Sequence, residues 1–126
     1  MILIVRPLIS PPTEKARVRL WVGLFGIAKP AQPTFFLGTT SRPPPQTPAT
    51  PADGEQLYPI RDNVVDGHEN PLNHQGVFTF PKLGPGLNHC FRVVAGGADQ
   101  CFEFTSLPDE IPRSGAPLNI LLSSCY

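Results

Sequence analysis

The stretch from Asp66 to His74 gathers residue types that could do chemistry at close spacing. In DGHENPLNH, Asp66, His68, Glu69 and His74 are ligand types for zinc or iron. A small metal-dependent hydrolase built on this stretch is therefore one hypothesis. The intervening residues are turn formers, and no helical spacing fixes the histidines on one face. The sequence favours a solvent-exposed loop over a metal site.

Three cysteines, Cys90, Cys101 and Cys125, lie in the second half of the chain. Their number is odd, and no two have the CxxC spacing of a zinc ribbon or a redox site. Reduced thiols are therefore expected. A cytoplasmic location is expected as well, because the opening MILIV run ends at Arg6 and Pro7, before it reaches the length of a signal-peptide core or a membrane span.

The most biased composition is found in segment 41–56, SRPPPQTPATPADGEQ. Such a run samples polyproline II conformations and is predicted to form a loop outside the core. Arg42, Pro45 and Pro48 match the basic-x-x-Pro-x-x-Pro spacing of peptides that bind aromatic grooves, because three residues per turn place both prolines on one face. These three residues are the candidate interaction site, and a simple flexible loop is the favoured interpretation.

The charge balance argues against nucleic acid or a membrane surface as a partner. Ten basic and ten acidic residues give a formal net charge of zero, so no global field attracts a polyanion. Arg6, Arg17 and Arg19 could form a local patch near Trp21, but a solvent-exposed face is favoured. No phosphate-binding loop, nucleophile elbow or His-Glu-x-x-His helix is present. No catalytic or cofactor-binding residue is therefore assigned in this chain.

Short strands are the elements that must position these residues. The chain has 17 prolines and 11 glycines among 126 residues, which leaves little room for helices, and its 40% hydrophobic content argues against disorder. The runs MILIVRPLIS, ARVRLWVGLFG, PTFFLG, GVFTFPKL, HCFRVVA and QCFEFTSL predict strands, and EQLYPIRD, which contains Pro59, predicts an edge strand. About seven strands indicate one all-β domain over 1–106, an antiparallel sandwich of immunoglobulin or fibronectin type III character.

The register of the last hairpin follows from its glycine pair. A two-residue turn at the glycines of VVAGGAD places Phe91 opposite Phe102 and puts both on one face. Cys90 and Cys101 then lie together on the other face as diagonal neighbours. A disulfide between them would need unusual geometry.

Residues 83–108, LGPGLNHCFRVVAGGADQCFEFTSLP, resemble the closing part of a fibronectin type III domain. In that family a leucine and a Pro-Gly turn precede an aromatic-x-aromatic-x-Val strand, and the last strand ends in Phe-x-Phe-Thr. The resemblance is carried by Leu83, Pro85, Gly86, Phe91, Val93, Phe102, Phe104 and Thr105. His89 stands where the family has its corner tyrosine. A buried, hydrogen-bonded histidine is the favoured interpretation there.

The end of the chain resembles the start of a second domain. Residues 107–117 have the composition of a linker, and LNILLSSCY, residues 118–126, predicts the first buried strand of a following α/β domain. A sandwich, a linker and an apolar strand that ends in Ser-Cys resemble the start of a PhoD-like alkaline phosphatase or a related metallophosphatase. The VRLW run of the second strand fits the same family.

The metallophosphatase resemblance implies a non-catalytic accessory sandwich that docks on or borders the active site of a metal-dependent phosphomonoesterase or phosphodiesterase. The implied partner is the catalytic domain of its own chain, with a divalent or an iron and calcium metal centre. Only Cys125 matches a metal ligand of that family, and a purely structural cysteine is the equal alternative. The alternative function is an independent interaction module that presents the proline-rich segment or a sheet edge.

Overall fold

The computed structural model describes residues 1–8, 18–61, 69–81, 83 and 87–105, with the backbone alone for 69–71. These residues form eight strands and no helix, in two four-stranded antiparallel sheets. The predicted all-β sandwich is confirmed, with eight strands in place of about seven. Within the described residues there is no helix whose length and apolar character would suit it to cross a lipid bilayer.

The strands follow one another along the chain as β1 (Ile2–Leu8), β2 (Val18–Phe25), β3 (Thr34–Gly38), β4 (Thr47–Ala49), β5 (Tyr58–Arg61), β6 (Glu69–Phe80), β7 (Asn88–Ala95) and β8 (Ala98–Thr105). The first sheet has the order β1-β2-β6-β5, and the second has the order β4-β3-β7-β8. Every neighbouring pair is antiparallel. The strand with Pro59, β5, lies at an edge as predicted, where a missing backbone donor is tolerated.

Alternation along the strands builds the core between the two sheets. In β2 the residues Val18, Leu20, Val22 and Leu24 are buried, and the residues between them face outward. Phenylalanines from both sheets meet at the centre: the ring centroids of Phe35 and Phe78 are 4.9 Å apart, and those of Phe80 and Phe91 are 5.0 Å apart. The full buried cluster comprises Val5, Val18, Leu20, Val22, Leu24, Phe35, Leu57, Phe78, Phe80, Phe91, Val93 and Ala95.

The β7–β8 hairpin has the predicted register. Phe91 pairs with Phe102, and Gly96 adopts a φ of 60°, which glycine tolerates without steric cost. Cys90 pairs with Glu103, and Cys101 pairs with Arg92, which lies two positions after Cys90 on β7. The two cysteines are therefore diagonal neighbours on one face, as the sequence predicts.

Two predicted loops contain strand. The proline-rich segment 41–56, expected to be an excursion, includes β4, which pairs with β3 at the edge of the second sheet. The expected loop from Asp66 to His74 is wrong in its second half, because β6 begins at Glu69. Pairing with β2 on one side and β5 on the other supplies the hydrogen bonds that override the turn-forming residue types.

Candidate functional site

The first residues of the proline-rich segment, 41–45, lie over the outer face of the second sheet. Pro45 is buried on Gly38, where an added Cβ would come within 3.1 Å of the proline ring. Farther across, the backbone N–H of Ser41 donates to Glu103 Oε1 at 3.1 Å. Gly38 and Glu103 are the two register partners of Cys90. The segment therefore crosses the sheet from β3 to β8 above Cys90.

The structure places the three predicted interaction residues in different surroundings. Arg42 is exposed, and Pro48 is exposed in β4 opposite Phe36, whereas Pro45 is buried. The two prolines do not share one exposed face, which recognition by an aromatic groove requires. Binding through these residues stays a prediction, and it would require Pro45 to leave its place on β3.

Cys90 and Cys101 form a close thiol pair beneath this segment. Their Sγ atoms are 3.8 Å apart, and both thiols are free. Cys90 is fully buried, whereas Cys101 on β8 is partly exposed. Burial raises the pKa of Cys90 to about 11, and the hydrogen bond with the Cys101 thiol acts in the same direction. The two sulfurs therefore differ in their access to solvent.

An ion pair lies beside the thiols on the same face. The Arg92 Nη2 atom donates to Asp99 Oδ2 at 2.7 Å, and Nε donates to Oδ1 at 3.0 Å. These bonds lower the pKa of the Asp99 carboxyl. The Arg92 guanidinium also lies 5.4 Å from the ring centroid of Phe36. One row of register partners thus crosses all four strands of the sheet, and it consists of Pro48, Phe36, Arg92 and Cys101.

The outer face of the first sheet carries aromatic and aliphatic side chains together with two arginines. Trp21 and Phe25 flank Gly23, with ring centroids 6.4 Å apart, and a Cβ at Gly23 would come within 2.7 Å of the Phe25 ring. The Trp21 Nε1 atom donates to Gln75 Oε1 at 3.1 Å, which fixes the indole. The outward residues of this surface, called here the aromatic face, include Ile2, Ile4, Arg6, Leu8, Arg19, Trp21, Phe25, Tyr58, Gln75 and Val77.

The sequence contained part of the signal for the aromatic face. The register places Arg6 opposite Trp21, and Arg19 is two residues away on the same side of β2, so the structure brings two of the three predicted arginines together. Arg17 lies outside the described residues. The sequence interpretation placed Arg17, Arg19 and Trp21 on this side of β2 but did not include Phe25. The same period-two pattern, Trp21-x-Gly23-x-Phe25, extends to Phe25 at the end of the strand.

Both histidines with described side chains are buried. His74, 5% exposed, lies in β6 opposite Leu24 and Pro59, and its Nδ1 atom has no hydrogen-bond partner in the part of the chain that the structure describes. His89 is also 5% exposed, as expected, and its ring centroid is 5.6 Å from that of Phe104. Among the described residues, no three side chains of His, Cys, Asp or Glu are grouped to hold a metal ion.

Several predictions of function fall outside the described residues. These are Asp66, His68, the linker 107–117, the strand 118–126 and its Cys125. The Glu69 side chain is likewise not described. A metal role for Cys125 and a following catalytic domain therefore stay predictions.

Comparisons with protein families, with curated proteins and with solved structures found no match for this chain.

Proposed function

We propose that this chain is a non-catalytic β-sandwich module that acts by docking, with the aromatic face as its docking surface. The observation that carries the proposal is the direction of Trp21 and Phe25. An antiparallel sheet with one face in water normally alternates apolar residues inward with polar residues outward. β2 instead turns aromatic rings outward while its opposite side fills the core.

The aromatic face is preorganised for binding. Trp21 and Phe25 are half-buried in the free chain, so a partner that covers their remaining exposed area gains part of the hydrophobic free energy of burying the two rings. The absence of a side chain at Gly23 lets both rings lie against the sheet, and Gln75 holds the indole. Docking therefore costs little additional side-chain entropy.

The arginines on this face favour a partner surface that carries carboxylates. Arg6 and Arg19 flank Trp21, and neither β1 nor β2 contains an acidic residue. Opposite charges across an interface select its partner and orient the encounter. The resemblance at the end of the sequence favours a metallophosphatase catalytic domain in the same polypeptide as that partner.

An immunoglobulin-like type for the sandwich is part of the proposal. Lettered along the chain as A, B, C, C′, D, E, F and G, the strands have the orders A-B-E-D and C′-C-F-G. Immunoglobulin constant domains have A-B-E-D opposite C-F-G, so the order supports this assignment with one added strand. The metallophosphatases of the resemblance carry such a domain before their catalytic domain.

The test uses Trp21, the single tryptophan of the chain, as a reporter. The chain is labelled with 5-fluorotryptophan and titrated with the unlabelled catalytic domain encoded after residue 126 in the complete reading frame. We expect a saturable ¹⁹F shift, weakened at least about tenfold by Phe25→Ala, since that change removes a buried aromatic contact worth about 1.4 kcal/mol or more. The matched control Phe36→Ala, on the outer face of the other sheet, should bind normally.

Two further outcomes separate the parts of the proposal. A reading frame without a later domain, or a domain that does not hydrolyse bis(p-nitrophenyl) phosphate with added Mn²⁺, Fe³⁺ or Ca²⁺, would contradict the phosphatase partner. A resonance that shifts only with the concentration of the labelled chain itself would indicate self-association and contradict docking on a catalytic domain.

A further inference from the structure

The thiol pair on the second sheet combines three properties that bear on redox chemistry. Its sulfurs are 3.8 Å apart, which is van der Waals contact. One thiol is accessible from solvent and the other is not. The two residues belong to adjacent strands of a single hairpin, so they stay close without any contribution from distant parts of the chain.

We propose that Cys90 and Cys101 are a reversible redox site, in which a low-molecular-weight disulfide of the glutathione class converts the two thiols to an internal disulfide. This site is independent of the aromatic face, because it lies on the outer face of the other sheet. The resting state is the dithiol.

The reaction proceeds by two exchange steps. The Cys101 thiolate attacks one sulfur of the small disulfide, so that a mixed disulfide forms and one small thiolate leaves. The small thiolate released in the first step takes the proton of the Cys90 thiol, and the Cys90 sulfur attacks Cys101 Sγ. The bond from Cys101 to the small molecule breaks as the internal bond forms. Two protein thiols are oxidised, and one small disulfide is reduced to two small thiols.

Accessibility and acidity set the order of these steps. Cys90 is fully buried, and its pKa of about 11 lies two units above the ordinary value of 9.0, which leaves about 100-fold less thiolate at neutral pH. A more basic thiolate is a better nucleophile, and this recovers about tenfold of the exchange rate that the smaller thiolate fraction loses. Cys90 should therefore react with external disulfides at least about tenfold more slowly than a solvent-accessible thiol of ordinary acidity, whereas the mixed disulfide on Cys101 is formed next to it.

Disulfide formation requires the sulfurs to approach from 3.8 Å to about 2.05 Å. The diagonal placement makes this bond strained, because direct neighbours on a sheet are closer than diagonal ones. β8 is an edge strand hydrogen-bonded to β7 alone, so a movement toward β7 breaks no backbone ladder on its other side. Strain raises the reduction potential of a disulfide, which makes the site reversible rather than a permanent structural bridge.

The test treats the native chain with oxidised glutathione, quenches by alkylation and maps the peptides. Trypsin cleavage after Lys82, Arg92 and Arg113 separates the three cysteines into three peptides, so each thiol is followed individually. We expect the peptides 83–92 and 93–113 to be joined by a disulfide in a monomer whose mass falls by two hydrogen atoms. Excess reduced glutathione should restore both thiols.

Two single variants define the steps. Cys90→Ser should stop at a stable glutathione adduct on Cys101, and Cys101→Ser should lose the joined peptides and react at least about tenfold more slowly at Cys90. Circular dichroism before quenching verifies that each variant is folded. A lasting adduct on Cys101 in the native chain, with Cys90 still open to alkylation after denaturation, would overturn the proposal. So would unchanged thiols in the folded protein.

Discussion

Among the described residues, no loop segment is placed over the outer face of the first sheet, whereas residues 41–45 of the proline-rich segment lie over part of the outer face of the second. On the first sheet, Trp21 and Phe25 face outward, and Gly23 is the single outward position of β2 between them. On the covered side, Pro45 is buried on Gly38 and Ser41 bonds to Glu103, above a cysteine with no exposed surface. The same sandwich thus covers one face with its own chain and leaves aromatic side chains on the other.

This difference explains why the two faces suit different chemistry. A partly exposed aromatic surface gains free energy when a partner removes its remaining area from water, which favours binding. A partly covered surface with a half-buried thiol beside a fully buried one limits access to small reagents, which favours a controlled exchange reaction. The shared phenylalanine core between the sheets holds both surfaces in place.

The largest expected effect comes from breaking the core that supports both faces. Phe35→Ala removes a fully packed ring with neighbours at 4.9 and 5.1 Å, so we expect a loss of about 3 to 5 kcal/mol in the free energy of unfolding. The matched change Phe36→Ala, one residue away on the outer face, should cost about 1 kcal/mol because that ring is only partly buried. Denaturant unfolding measures both, and equal losses would contradict the assigned directions of β3.

An intermediate effect should follow when the cover of the second sheet is loosened. Pro45→Ala removes ring contacts on Gly38, and we expect a loss of about 1 kcal/mol in stability together with a several-fold faster alkylation of Cys90. Pro44→Ala is the matched control, because it makes the same backbone change at an exposed neighbour. If both variants leave Cys90 equally protected, the segment is not its cover.

The smallest effect concerns the ion pair on the covered side. Arg92 lowers the pKa of Asp99, so the pair contributes stability above the ordinary carboxyl pKa, and this contribution is lost as pH falls through the lowered value. Both side chains are partly solvent-exposed, so the loss in Asp99→Asn at neutral pH should be small and should vanish in strong acid. Unfolding at several pH values measures this difference. In an Arg92→Gln background, the stability lost on Asp99→Asn should no longer depend on pH. A pH dependence that remains there would come from a group other than this ion pair.

Much of the fold could be predicted because its signals are local. The β7–β8 hairpin follows from a glycine pair and alternating residues within eighteen positions, 88–105, and both its register and the diagonal cysteines agree with the prediction. β2 follows from its alternation in the same way. The loop predicted from Asp66 to His74 is wrong in its second half, because pairing with two neighbouring strands holds the turn-forming residues there in β6.

The candidate sites could be predicted only in part. The sequence placed Cys90 and Cys101 on one face, but it gave no distance between their sulfurs and no sign that Cys90 is buried beneath a proline-rich segment. It located Arg6 and Arg19 near Trp21 but missed the aromatic pair with Phe25. Composition alone identified segment 41–56 as unusual, and it predicted a loop where the structure has β4 and a buried Pro45.

The sequence by itself determined the all-β class, the last hairpin and the inward side of β2, because turn conformation and side-chain alternation act between residues close along the chain. Only the tertiary structure decided which outer face is covered. Ser41 and Glu103 are 62 positions apart, and Trp21 and Gln75 are 54 positions apart. Contacts at such separations depend on how the strands are ordered and how the sheets are placed, and no local pattern encodes that order.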